Sequence, residues 1–175
     1  GGTGSNKRVL TSVHLVPEDM EVLDFRLMKK WQEVEKNEVR FAEYYMDDAK
    51  IAVVGFGTSG RIALSAVRTA RAMGIPVGLI RPISLSPFPY QAIKETAAQV
   101  DNILVVEMNS GMMLDDVMKV VKDTTNVEFY GRMGGIMPFP DEILGEIQRI
   151  ASGTTPSDVH PRDRWLKRME SVVDF

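Results

Sequence analysis

The sequence predicts an α/β protein, a three-layer α/β/α sandwich around a mainly parallel sheet. Four short apolar runs, at residues 51–54, 77–80, 103–106 and 127–130, each give way to a stretch with helical periodicity. The runs are continuous rather than alternating, the mark of strands buried on both faces, and such strands are parallel with helices on each side. Right-handed crossovers are then the default. The 175 residues suffice for one domain with a small appendage, and 44% hydrophobic against 26% charged residues is ordinary globular composition.

Taken in order, residues 1–16 open Gly/Ser-rich, and Val9, Val13 and Leu15 then alternate with polar residues as in a short strand over 8–16. Pro17 with Glu18 and Asp19 reads as a helix start, since Pro fits the first turn and carboxylates its positive end. From there to about Met46, apolar residues return every three or four positions: Met20, Leu23, Leu27, Trp31, Val34, Phe41 and Tyr45, with Glu38 the exception. Such a helix is ~40 Å long at 1.5 Å per residue. It reads either as an amphipathic helix along the domain or as a connector whose stripe meets another domain or subunit. The strand at 51–54 is followed by a glycine turn and a helix over 58–73, where Gly74 supplies a left-handed stop and Pro76 blocks continuation. The strand at 77–80 leads to a helix over 89–100, that at 103–106 to one over 112–122, and that at 127–130 to one over 140–150. Residues 151–175 read as a polar tail with a short helix around Trp165. The domain is expected over 17–150, with 17–46 its long connecting helix and 1–16 the end of a preceding domain or a linker. The start Gly-Gly-Thr-Gly, without Met, reads as a processed product or a piece of something longer.

Composition excludes several chemistries. The chain has no cysteine, which removes disulfides, thiolate zinc sites, cysteine nucleophiles and a resident iron–sulfur cluster. His14 and His160 stand near opposite ends, so no multi-histidine metal site is expected. With 21 Lys and Arg against 24 Asp and Glu the net charge is −3, leaving no global basic field for nucleic acid or an anionic membrane. Lack of cysteine and of a visible targeting segment reads as a cytoplasmic protein.

Gly55-Phe56-Gly57-Thr58-Ser59-Gly60 matches G-x-G-x-x-G between a strand and a helix, the local context for dinucleotide binding. The acid that would hold the ribose hydroxyls is missing: Arg81-Pro82 stands at the end of the second strand. The structural alternative is that the glycines turn the strand directly into a closely packed helix, with Thr58 or Ser59 as its cap. Arg81, Glu107 and Arg132 fall at successive strand ends, which in a parallel sheet share one edge. They read as an ion network tying three loops together, or as a cradle for a carboxylate or phosphate. Asn109 reads as a ligand contact or as the cap of the next helix. Met112, Met113, Met133 and Met137 suit an adaptable apolar contact surface, or the core.

Three strand-end segments carry a family resemblance when read with the glycine turn. They are Arg81-Pro82-Ile83-Ser84-Leu85-Ser86-Pro87-Phe88-Pro89, Ile103-Leu104-Val105-Val106-Glu107-Met108-Asn109-Ser110-Gly111, and Phe129-Tyr130-Gly131-Arg132-Met133-Gly134-Gly135-Ile136-Met137-Pro138. The first two resemble the carboxyl-terminal domain shared by transketolase-like, thiamine-diphosphate-dependent enzymes. The whole set, over about 17–150, resembles the alpha chain of 2-oxoacid:ferredoxin oxidoreductases, with the closest similarity to the branched-chain, 2-oxoisovalerate type. The resemblance implies a transketolase C-terminal-like fold and a part in oxidative decarboxylation of a 2-oxoacid to acyl-coenzyme A with reduction of ferredoxin. It implies thiamine diphosphate, Mg²⁺ and iron–sulfur clusters for the whole complex but none held by this chain, which is expected to be inactive alone. Its implied partners are the remainder of the alpha chain and the other subunits. The alternatives are a free-standing Rossmann-type nucleotide-binding domain and a protein-interaction module.

The basic segment from His160 to Arg168 reads as a solvated or subunit-docking tail, with His160 a surface residue rather than a catalyst. Trp31 and Trp165 are the candidate interface anchors, because aromatic residues near arginines carry most interface energy.

Overall fold

The computed structural model describes residues 4, 13–121, 125–153 and 158–172. The chain divides into two compact units, Gly1–Glu38 and Val39–Phe175. In the first, α1 (Pro17–Asn37) opens on Pro17 with Glu18 and Asp19 in its first turn, as the sequence predicts. None of its residues is buried. Val22, Phe25 and Met28 are exposed, and Trp31 donates its indole N–H to Glu35 at 2.8 Å. Of the strand expected over 8–16, residues 8–12 lie outside the described residues and 13–16 are not a strand. Val16 is already the N-cap of α1, with extended φ −101° and ψ 118°.

The helix stops nine residues short of Met46. Asn37 turns its side-chain amide back to Glu33 O at 2.8 Å, and the Glu38 N–H closes the last turn on Val34 O. Phe41, counted above on the helical stripe, belongs instead to β1 (Phe41–Tyr44), and Tyr45 follows that strand with φ 58°. Two aromatics within four residues fit a pleated edge better than a helix, and Phe41 and Tyr44 lie opposite Pro82 and Leu79 of the neighbouring strand.

The second unit holds the sandwich. Strands β1, β2 (Ile51–Gly55), β3 (Val77–Pro82), β4 (Asn102–Glu107) and β5 (Asn126–Gly131) form one sheet in the order β1-β3-β2-β4-β5. All its pairs are parallel except β1, which lies antiparallel on β3. The four apolar runs are thus the four parallel strands, buried at almost every position. The intervening helices are α2 (Gly57–Ala72), α3 (Tyr90–Ala97), α4 (Met112–Met118) and α5 (Pro140–Ala151). The expected α4 end at Lys122 lies outside the described residues. Helices α2 and α5 pack together on one face, and α3 against α4 on the other. The core joins Val53, Leu79, Leu104 and Phe129 of the sheet to Ile93, Leu114, Ile143 and Ile147 of the helices.

The tail is part of this unit. Helix α6 (Pro161–Met169) packs on β5, an edge strand whose outward carbonyls would otherwise be open. Arg164 donates to Val127 O, and Arg168 to Phe129 O at 3.0 Å. Both guanidinium groups, with Arg149 of α5, also surround Glu128, whose side chain is 3% exposed. Glu146 pairs with Arg149 at 2.7 Å and with Arg168 at 3.3 Å. Burial costs such charges several kcal/mol unless they are paired, and here they are paired while closing a ladder. Trp165 is 4% exposed and meets Phe129 edge-on with ring centroids 5.1 Å apart. The solvated or docking tail is therefore corrected to a core element, and Trp165 is withdrawn as an interface anchor. The boundaries expected at 17 and 150 give way to one between Glu38 and Val39, with α6 inside the second unit.

Two stability outcomes follow. Trp165→Ala is expected to cost about 3–5 kcal/mol in urea unfolding, the loss of a buried aromatic; a cost below about 1 kcal/mol would return Trp165 to the surface. Gly60→Ala is expected to cost more than Gly57→Ala. A Cβ at Gly60 runs into the Gly55 carbonyl and the Arg81 stem, whereas one at Gly57 meets open space and faces only the strain of φ +57°. The two costs are about 1–3 kcal/mol for overpacking and about 1–2 for the left-handed residue, and the reverse order would show that α2 shifts freely on β2.

Candidate functional site

The carboxyl ends of the parallel strands gather at one edge of the sheet. From β2 the chain moves to β3 on one side and returns to β4 on the other. The crevice outside the carboxyl ends of β2 and β4 is therefore the topological switch point, where open α/β sheets hold ligands. Its walls are the turn after β2, beginning at Phe56, and the loop from Met108 to Gly111 after β4.

The glycine turn is a packing device. Gly55 ends β2 with its Cα against Gly60, so strand and helix approach at backbone distance. Helix α2 starts at Gly57, one residue earlier than expected, with Phe56 as N-cap and no side-chain cap. Thr58 and Ser59 accordingly sit inside the first turn and cannot cap it; Thr58 is exposed and Ser59 buried. The Arg81 stem lies against Gly60, and among the described residues Arg81 forms no ion pair.

Glu107 has a different job from the one expected. Its buried carboxylate accepts the Met113 N–H at Oε2 and the Leu114 N–H at Oε1, both at 2.9 Å. Asn109 takes the next donors, with Oδ1 accepting from Gly111 N at 2.7 Å and Met112 N at 2.9 Å. Together they satisfy the open start of α4, so the capping reading of Asn109 is the one the geometry supports. Arg162 of α6 holds the same loop from outside through Ser110 O at 2.6 Å and Gly111 O at 2.9 Å, and pairs with Asp115. His160 caps α6, its Nδ1 accepting from Arg162 N.

Arg132 pairs with Glu142, whose other oxygen accepts the Phe139 N–H at 2.7 Å and so closes the start of α5. The expected network of Arg81, Glu107 and Arg132 does not form, because its one carboxylate, Glu107, is claimed by the start of α4. Only the Arg132 N–H to Glu107 O bond, at 3.2 Å, joins two of the three residues. Of the four methionines, Met113 is buried, whereas Met112, Met133 and Met137 are exposed. Arg162, Tyr130 and Glu142 were not singled out from sequence. Arg162 lies some fifty residues from its partners, and no local pattern announces such a contact.

Two groups of the resemblance, the iron–sulfur clusters and Mg²⁺, can be tested against the side chains present. Iron–sulfur clusters require thiolates and the chain has no cysteine. Among the described residues no three His, Asp or Glu side chains stand together to take Mg²⁺. Nor is any helix among them long and apolar enough to cross a membrane.

Burial, with a lesser push from Glu142 and against the pull of Arg132, drives the Tyr130 hydroxyl up to about 12. Between pH 10 and 12 the unfolded chain releases that proton while the native chain keeps it, so stability falls as pH rises through this window. The drop is on the order of 2 kcal/mol. Tyr130→Phe is expected to flatten it in alkaline denaturation profiles, and an unchanged profile would contradict the burial. Glu107→Ala strands two buried N–H groups and is expected to cost about 1–3 kcal/mol for each. A thermal shift no larger than that of an exposed carboxylate such as Asp115→Ala would show α4 closing without it.

The chain matches the family model "Pyruvate:ferredoxin oxidoreductase core domain II" over residues 49–149. The ketoisovalerate oxidoreductase subunit VorB of Methanothermobacter marburgensis is 44% identical over 151 residues, 86% of this chain and 43% of that protein. The 2-oxoglutarate synthase subunit KorA of the same organism is 37% identical over 75% of this chain and 35% of its own length. The chain thus spans less than half the length of these curated relatives. Among solved structures, a 2-oxoglutarate:ferredoxin oxidoreductase from Magnetococcus marinus superposes with TM-score 0.71 at 18% identity, over 86% of this chain and 28% of that one. A split-gene transketolase superposes with TM-score 0.56, also at 18% identity, over 65% of this chain and 41% of that one. These two share the fold, and the family match together with the VorB identity establishes that this chain belongs to the pyruvate:ferredoxin oxidoreductase core domain II family.

Proposed function

We propose that the chain is the domain II portion of the alpha-type subunit of a 2-oxoacid:ferredoxin oxidoreductase acting on 2-oxoisovalerate. The whole enzyme then decarboxylates the 2-oxoacid oxidatively, forms the acyl-coenzyme A and passes the electrons to ferredoxin. Thiamine diphosphate, Mg²⁺ and the clusters are held by other parts of the complex in this reading, and the cytoplasm is its compartment. The observation that carries it is the 44% identity to a ketoisovalerate oxidoreductase subunit over 86% of the chain, higher than the 37% to a 2-oxoglutarate synthase subunit.

The polar groups at the carboxyl edge support an architectural role for this portion. Glu107, Asn109 and Glu142 spend their oxygens on helix starts, and Arg132 its charge on Glu142. No side chain among them is left as a general acid, a base or a nucleophile. The test is coenzyme A-dependent reduction of ferredoxin by the full polypeptide purified with its partner subunits. The expected outcome is a kcat/KM for 2-oxoisovalerate at least about tenfold above those for 2-oxoglutarate and pyruvate, and no turnover by the present chain alone. Preference for 2-oxoglutarate would overturn the substrate, and turnover by the chain alone would overturn the division of labour.

A further inference from the structure

We propose that the carboxyl edge of the sheet is a docking face covered by the part of the same polypeptide that lies beyond this chain. The inference rests on the reading of the chain as one portion of a longer oxidoreductase subunit. Gly55 pairs with Val106 and Glu107 with Gly131, so Phe56, Met108 and Arg132 follow the ends of three adjacent strands. The Asn109 carbonyl lies against Gly131, which joins the loop after β4 to the loop after β5. Along this continuous edge Phe56, Met108, Met112, Met133, Met137 and Phe139 are all exposed, Met112 by 74%. Residues 133–137 are five consecutive exposed positions without a charge, and the one charge beside them, Arg132, is neutralised by Glu142.

A monomer rarely leaves so much contiguous apolar surface open. Depletion of charge with enrichment in methionine and aromatic residues is the composition of a protein interface core, not of a site for an anionic ligand. Methionine, with three rotatable bonds, fits itself to an irregular partner. The occupant follows from length. The VorB match covers 43% of that relative, so more than half of a polypeptide of that kind remains to cover the edge. Being tethered, it sits at an effective concentration of about millimolar, enough to hold a face whose arginines are already paired within the domain.

The experiment uses the full polypeptide in its assembled complex. Peroxide oxidation of each methionine is followed by peptide mass spectrometry, and its rate is compared with that of the same residue in denaturant. Met112, Met133 and Met137 are expected to be slowed at least about tenfold, like Met113, which is buried by this domain itself. Slowing below tenfold at these three, with Met113 protected, overturns the docking face. A benzophenone amino acid placed at Ile136 then identifies the cover. Crosslinks within the same polypeptide support the proposal, and crosslinks to a partner subunit or to a second copy overturn it. Neither readout depends on which 2-oxoacid is oxidised, so failure of the functional reading and failure of this one are separable.

Discussion

A parallel sheet buried on both faces leaves its backbone open only at its two edge strands, and closing those edges is the constraint on which this structure depends. Along β3 the chain does it with β1, laid antiparallel. Along β5 the sequence offers no sixth strand, and the outward carbonyls of Val127 and Phe129 are met by Arg164 and Arg168 of α6. A guanidinium can donate to a carbonyl and pair with a carboxylate at once, so the same two arginines neutralise Glu128 beneath them. Trp165 then seals the seam against Phe129. Lysine could not replace either arginine with the same effect, because a single ammonium lacks the planar fork that serves two acceptors.

The second constraint is the start of each helix. Every crossover leaves N–H groups pointing out of the carboxyl edge, and in many α/β proteins an anionic ligand answers them. Here Glu107 answers α4 and Glu142 answers α5. A side-chain carboxylate in each case stands where a ligand's oxygen would. At α2 no side chain does so, and close packing of Gly55 on Gly60 brings the helix start down onto the strand instead.

The sandwich was legible because burial on both faces writes itself as uninterrupted apolar runs, and the stops at Gly74 and Pro76 are local chemistry. The helix over 17–46 misled because Phe41 and Tyr45 happen to continue its period; a four-residue edge strand is too short to show a period of its own. The acids and arginines at the strand ends were legible as charged groups but not as partners. Glu107 meets an N–H pair six and seven residues ahead, Arg132 a carboxylate ten ahead, and Arg162 a loop some fifty residues back. Such pairings depend on how the helices land, which sequence spacing does not encode. The tail failed for the same reason: four cations around a tryptophan look solvated until the edge they close is known.

With the polar groups of the carboxyl edge turned inward onto helix starts, what remains facing outward is the apolar surface from Phe56 to Phe139. The two facts are connected. An edge that kept its carboxylates and guanidinium groups free would be hydrated, and burying it against another surface would cost the desolvation of each charge. By pairing those charges within the domain, the fold lowers the cost of covering the edge while leaving methionines and aromatics to supply the contact. Internal pairing of the charges and an apolar outer surface are thus two sides of one arrangement, and together they support the docking proposed for this edge.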